Sequence, residues 1–252
     1  MNQKLSKTLQ LLAICCCLSF VFIPTRKVKI YLIGDSTIAI KETKAFPETG
    51  WGMPFVYFFD STVNVDNRAK NGRSTRTFLS ENRWTPVADS LKVGDYVFIQ
   101  FGHNDESKEK TDRYTSPEDF KANLIKFITE TMAKKAIPVL LTPVSRRYFD
   151  SLGNIKETHE IYSALVKDVG KITNTPVIDL DEKSRKLYQE LGKEYSKLLF
   201  NWLEPGEHPN FPLGKQDNTH FNELGARKIA ELVLTGIKEL HLDLENRLVK
   251  KP

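Results

Sequence analysis

The sequence predicts an α/β fold, a parallel sheet covered on both faces by helices. Three observations lead there. Five short runs of strand length, most of them rich in β-branched or aromatic residues, are spaced along the chain. Helical patterns fill the intervals between them. No internal repeat, low-complexity tract or Pro/Gly/Ser linker divides the 252 residues, a length that one α/β domain accommodates. Strand–helix–strand alternation with right-handed crossovers then gives a parallel sheet.

The first apolar run is of another kind. Leu9–Ile23 follows Lys4 and Lys7 and holds all three cysteines, Cys15, Cys16 and Cys17. Charge followed by an apolar stretch is the order of an export leader, and the run is short of the ~20 residues of a spanning helix. The expectation is a leader over residues 1–23, whether cleaved, lipidated or retained, and a single domain over residues 24–252. The protein is then exported: periplasmic, cell-surface or secreted. With no cysteine in the body of the chain, a disulfide scaffold, a thiolate zinc site and a cysteine nucleophile are excluded there.

In order, the strand runs are Val28–Ile33, Thr62–Asp66, Asp95–Phe101, Ile137–Thr142 and Pro176–Leu180. The second is the weakest, with only Val63 and Val65 apolar. Between the third and fourth, Ser116-Pro117-Glu118-Asp119 reads as a helix start: a capping serine, proline in the first turn, then acids at the positive end of the dipole. Phe120, Leu124, Phe127, Ile128 and Met132 form its inward stripe. Ile161, Leu165, Val169 and Ile172 form the next. Asn222 caps a last helix with Leu224, Ile229, Leu232, Val233 and Ile237 inward. Beyond Leu244 the chain is polar and is expected to fray.

Charge excludes one class of partner. Lys+Arg 37 against Asp+Glu 32 is an excess of +5, too small and too spread to be a nucleic-acid footprint. No stable protein partner is implied, and a membrane enters only through the leader or a lipid anchor.

Sheets of this class bind ligands at the carboxyl ends of their strands. There the sequence places Gly34-Asp35-Ser36-Thr37, then Asn67 to Ser74 around Gly72, then Gly102-His103-Asn104-Asp105. Asp217-Asn218-Thr219-His220 comes just before the last helix. Ser36 is a poor nucleophile without a base, and the base needs an orienting partner. His220 supplies the base, and Asp217, three residues earlier, reaches the imidazole. An attacked ester becomes an oxyanion, for which the backbone N–H groups of Ser36 and Gly72 and the Asn104 amide are candidate donors.

These segments resemble, in order, the four blocks of the SGNH (GDSL-type) hydrolases. The likeness is closer to the rhamnogalacturonan acetylesterases, whose pattern is similar to Gly34-Asp35-Ser36-Thr37, Gly50-Trp51-Gly52, Gly72-Arg73-Ser74, Phe101 to Asp105, Thr142-Pro143-Val144 and Asp217-x-Thr219-His220-Phe221. The resemblance covers roughly residues 28–240. It implies a flavodoxin-like three-layer α/β/α sandwich with strand order 2-1-3-4-5, no metal and no cofactor. It also implies removal of acetyl groups from a pectin backbone, with an acetylated polysaccharide as substrate. Lys70 and Asn71 depart from it, standing before Gly72 where the family is expected to carry smaller residues.

Other residues keep two readings each. Trp51, between glycines, is a platform for a sugar ring or a lid on the core. His103 faces substrate or packs beneath its loop. Arg73, Arg76, Arg146 and Arg147 face galacturonate carboxylates or form structural ion pairs. Asp35 shapes the loop. The rivals to a pectin deacetylase are the same chemistry on xylan, another glycan or a lipid ester, and a non-catalytic carbohydrate-binding protein. No G-x-S-x-G elbow, Walker A loop, G-x-G-x-x-G or H-E-x-x-H is present.

Overall fold

Each of the five runs becomes a strand in the computed structural model, which describes residues 26–249. The strands are β1 (Val28–Gly34), β2 (Val63–Asn67), β3 (Tyr96–Gln100), β4 (Ile137–Leu141) and β5 (Val177–Ile178). They form one parallel sheet in the order β2-β1-β3-β4-β5, as expected. β1, β3 and β4 are almost wholly buried, which is why they read as unbroken apolar runs. β2 is the edge strand and only half covered, which accounts for its thin signal.

Alternation along the strands sorts the core into two layers. Ile30, Leu32, Phe98, Val139 and Leu141 pack on one side, with Trp51, Phe55, Ile229, Val233 and Ile237. Tyr31, Ile33, Val97, Ile99 and Leu140 pack on the other, with Phe78, Trp84, Phe120, Phe127, Val166 and Val169. The helices packed in the two layers are α1 (Gly52–Phe55), α2 (Thr75–Ser80), α3 (Thr85–Ser90), α4 (Pro117–Ala133), α5 (Glu160–Thr173), α6 (Leu180–Tyr195) and α7 (Glu223–Glu239). Helices α2 to α5 cover one face, and α1, α6 and α7 the other. Ser116 caps α4 through the Asp119 N–H, as its sequence requires. Among the described residues no helix is long and apolar enough to cross a membrane.

Several boundaries and faces differ from the sequence reading. The fifth run stops after Ile178, because the Asp179 carboxylate accepts the Glu182 N–H and starts α6 at Leu180. On α4, Met132 is exposed and Thr131 is buried in its place, its hydroxyl donating to the Phe127 carbonyl. On α5 the inward face is Tyr162, Val166 and Val169, with Ile161 and Ile172 in solvent. Gly170 sets that rotation: a Cβ there would overlap Val177, so this face must lie against the sheet. Leu224 is likewise exposed on α7, where Gly225 and Ala226 make the close approach.

Two features were not expected. Strands β6 (Phe200–Leu203) and β7 (Lys215–Phe221) form an antiparallel pair outside the main sheet. The chain after Leu244 does not fray before residue 249. Leu244 is fully buried, Leu248 bridges to Phe59, the Val249 N–H donates to the Phe58 carbonyl and Arg247 reaches Thr62. The expected leader, residues 1–23, lies outside the described residues.

Candidate active site

The turn after β1 is ordered from its own buried side chains. Asp35 is completely buried and accepts the Thr37 N–H at 2.9 Å and the Thr37 hydroxyl at 2.8 Å. The Thr37 hydroxyl accepts from the Gln100 amide at 2.7 Å, and Gln100 in turn accepts the Trp51 indole N–H at 2.9 Å. Burial pushes the Asp35 carboxyl up, against the Thr37 donors. Asp35 therefore shapes the loop. Trp51 does the same from beneath: it is fully buried, edge-on against Phe55, and its N–H is committed inside the protein. It is a core residue and presents no platform to a sugar.

Ser36, at the crest of this turn, is partly exposed. Its Oγ lies 2.9 Å from His220 Nε2. His220 Nδ1 lies 2.9 Å from Asp217 Oδ2. With Nδ1–H donating to that carboxylate, Nε2 is left to accept the Ser36 hydroxyl proton. Strand β7 holds the pair, because the other Asp217 oxygen accepts the backbone N–H groups of Thr219 (2.8 Å) and His220 (2.9 Å). Burial alone would raise the Asp217 carboxyl. The His220 hydrogen bond and charge, with those two N–H groups, outweigh it and hold the carboxyl well below the usual range.

Gly72 follows β2 with φ +76°, a left-handed value that a side chain would strain. The Lys70 N–H donates to the Gly34 carbonyl at 3.0 Å, which ties this loop to the end of β1. The Asn104 amide donates to the Arg73 carbonyl at 3.0 Å, so the third block is tied to the second. An amide has two N–H donors, and the other remains for a ligand. Asp105 is fully buried and anchors the start of α2, accepting the Thr75 N–H at 2.8 Å and its hydroxyl at 2.6 Å. Burial pushes its pKa up to about 7.

His103 is buried and meets His159 edge-on at 4.2 Å between ring centres. Burial, with cationic neighbours, lowers its pKa well below the ordinary value, so the ring is neutral. It packs beneath the loop and does not face substrate. The arginines separate. Arg147 is buried on Asn218, Ser196 and Lys193, and Arg76 donates to the Thr111 and Asp112 carbonyls. Arg73 is held by Glu81 at 3.0 Å and by the Asn71 carbonyl at 2.8 Å. Arg146, partly exposed, lies beside the histidine, donating to the Thr219 hydroxyl at 2.7 Å.

Three charged residues at the site went unread in the sequence. The Lys41 ammonium is buried, 2.7 Å from Glu48 Oε1. It also donates to the Asn71 side-chain oxygen at 2.9 Å and to the Ser36 carbonyl. Lys215 stands 3.3 Å from Glu48 Oε2 and 3.4 Å from Asp217 Oδ2. Burial would raise the Glu48 carboxyl, but the charges of His220, Lys41 and Lys215 keep it low. No sequence motif announces them: Lys41 and Glu48 share one loop, but their ties to Asn71 and to Lys215 on β7 appear only in the fold. Ligand atoms of Glu48, Asp217 and His220 approach within 4.8 Å of one another. The two ammonium groups already neutralise those carboxylates, so the cluster fits an ion-pair network and not a metal site.

Known proteins resemble this chain along most of its length. The model of the GDSL-like lipase/acylhydrolase family matches residues 32–228. The rhamnogalacturonan acetylesterase RhgT of Bacillus subtilis is 42% identical over 226 residues, 90% of this chain and 96% of that protein. The probable rhamnogalacturonan acetylesterase YesY of the same organism is 36% identical over 223 residues, 88% of this chain and 98% of that one. Among solved structures, the YxiM protein of Bacillus subtilis superposes with a TM-score of 0.75 at 26% identity. The match covers 88% of this chain and 59% of that one. An acetylxylan esterase from Geobacillus stearothermophilus shares the fold alone, with a TM-score of 0.62 at 17% identity over 84% of this chain and 94% of that one.

Proposed function

The chain belongs to the GDSL-like lipase/acylhydrolase family, and on that premise we propose that it is a serine esterase removing acetyl groups from rhamnogalacturonan. One observation carries the reading: a serine hydroxyl, an imidazole and a carboxylate in line, 2.9 Å apart at both steps. The likeness to two rhamnogalacturonan acetylesterases along nearly their whole length supports the choice of polymer.

Ser36 Oγ attacks the acetyl carbonyl carbon as its proton passes to His220 Nε2. Asp217 holds the imidazolium through its Nδ1–H. The oxyanion is met by the backbone N–H groups of Ser36 and Gly72 and by the free N–H of Asn104. The sugar oxygen leaves with the proton from His220. Water, deprotonated by the same nitrogen, then attacks the acetyl-enzyme and releases acetate.

The test is acetate release from acetylated rhamnogalacturonan and acetylated xylan, native protein against Ser36→Ala. The reading expects release from the pectic polymer, less from xylan, and none from the variant. Equal release from xylan would transfer the assignment to another glycan. Inertness toward p-nitrophenyl acetate with polysaccharide binding retained would make the protein a binder. We also propose export through residues 1–23, with residues 24–252 as the active unit. The N-terminal sequence of the mature protein, recovered from outside the cytoplasm, checks both.

A further inference from the structure

Burying an ammonium is costly unless it is paired and fully hydrogen-bonded. Lys41 meets that condition only through the site. Its three hydrogens go to Glu48, to the carbonyl of the nucleophile residue Ser36, and to the side chain of Asn71, which precedes Gly72. The two backbone donors assigned to the oxyanion, Ser36 N–H and Gly72 N–H, stand on separate loops. Lys41 is bonded to both loops at once. Asn71 is the acceptor that makes this possible.

The pairing continues across the site. Glu48 holds Lys41 on one oxygen and Lys215 on the other, and Lys215 reaches Asp217, the partner of His220. Lysine and carboxylate thus alternate from the nucleophile's carbonyl to the base's orienting acid. A buried ion pair is weak evidence for stability, and an apolar side chain could fill the space. This chain of charges instead ends on the reacting groups.

We propose that Lys41 is a positioning residue for ester hydrolysis, setting the separation of the Ser36 and Gly72 donors, with Glu48 keeping it charged and in place. The inference rests on the reading of Ser36 as nucleophile. The charged groups facing Lys41 are Glu48, Asp35 and Lys215. Burial lowers the pKa of the ammonium, and Glu48 and Asp35 oppose that. Deprotonation at alkaline pH therefore removes the tie sooner than an ordinary lysine would, and loss of the Glu48 charge brings it on at lower pH still.

The experiment is steady-state hydrolysis of p-nitrophenyl acetate by the native protein, Lys41→Met, Asn71→Ala, Glu48→Gln and Ser36→Ala. A donor displaced by a fraction of an ångström is expected to lower kcat about 10- to 100-fold in Lys41→Met, with KM within about twofold. Asn71→Ala, which changes an exposed residue and tests the tie if Lys41→Met does not fold, is expected to lower kcat about three- to tenfold, again with KM held. Glu48→Gln is expected to move the alkaline limb of kcat to lower pH. Folded Lys41→Met or Asn71→Ala with native kcat, or an unmoved limb in Glu48→Gln, overturns the proposal. Full turnover by Ser36→Ala overturns the reading beneath it instead.

Discussion

A serine hydroxyl attacks only when its proton has an acceptor at hand, and His220 lies within hydrogen-bond reach of Ser36. Ser36→Ala is expected to lose ~10⁴-fold or more in kcat on an acetyl ester while melting like the native protein; near-native turnover would refute the mechanism. Asn104→Ala is expected to cost ~10²–10³-fold in kcat, measured on the same ester, and a loss under about threefold would leave Asn104 a structural tie between loops. Asp105 gives a pH test. Its pKa is raised in the fold to about 7, so its contribution is whole below the unfolded value and is eroded as pH rises toward 7, where a buried anion forms. Asp105→Asn keeps the acceptor for Thr75 without that anion. Its denaturant midpoint relative to the native protein should therefore improve from pH 5 to pH 8; a constant difference contradicts the shift. The spacing of Asp217 and His220 was legible in the sequence because both groups lie on one short segment. Trp51 and His103 were not, since a ring between loop residues looks the same whether it faces inward or outward. Lys41 and Glu48 pair with each other across seven residues, but their place in the site was invisible because it depends also on Asn71 and Lys215, 30 or more residues away.

The last helix shows how an element delivers a side chain. Asn222 accepts the Gly225 N–H at 3.0 Å and donates to the Leu198 and Phe200 carbonyls at 2.9 and 3.1 Å. It thus caps α7 and fastens the helix to the β6–β7 pair. A Cβ on Gly225 would overlap the Leu199 carbonyl, so the close approach admits only glycine. Asn222→Ala is expected to cost about 1–2 kcal/mol. Gly225→Ala is expected to cost about 1–3 kcal/mol and to lower kcat as well, because α7 begins three residues beyond His220. Thermal melts and ester kinetics on the two variants check both effects; native kcat in a destabilised Gly225→Ala would separate the helix from the site. Strands β1, β3 and β4 were readable because burial on both faces demands apolar runs, and β2, half covered at the edge, was the faintest. The β6–β7 pair was not: β7, Lys215–Phe221, is polar almost throughout, since its side chains serve the site. The helical stripes were displaced by a residue or so wherever a small residue made the close contact, as at Gly170 and Gly225.

Seen whole, the molecule is a sheet between two helical layers with its reactive groups along one rim. The alternation of strand and helix was enough to foresee that plan. The docking of residues 243–249 was not, because they are mostly polar and only Leu244 and Leu248 show why they hold. Ending the chain at Leu242 would remove the fully buried Leu244, worth about 1.5–3 kcal/mol by itself, and uncover Phe58 and Phe59. A lower denaturation midpoint with an unchanged active-site titre is expected. Ser36 and His220 stand 184 positions apart, and that separation has a temporal consequence. A chain still emerging during synthesis, or any fragment ending before Lys215, carries Ser36 without His220 and is expected to release no acetate from an acetyl ester.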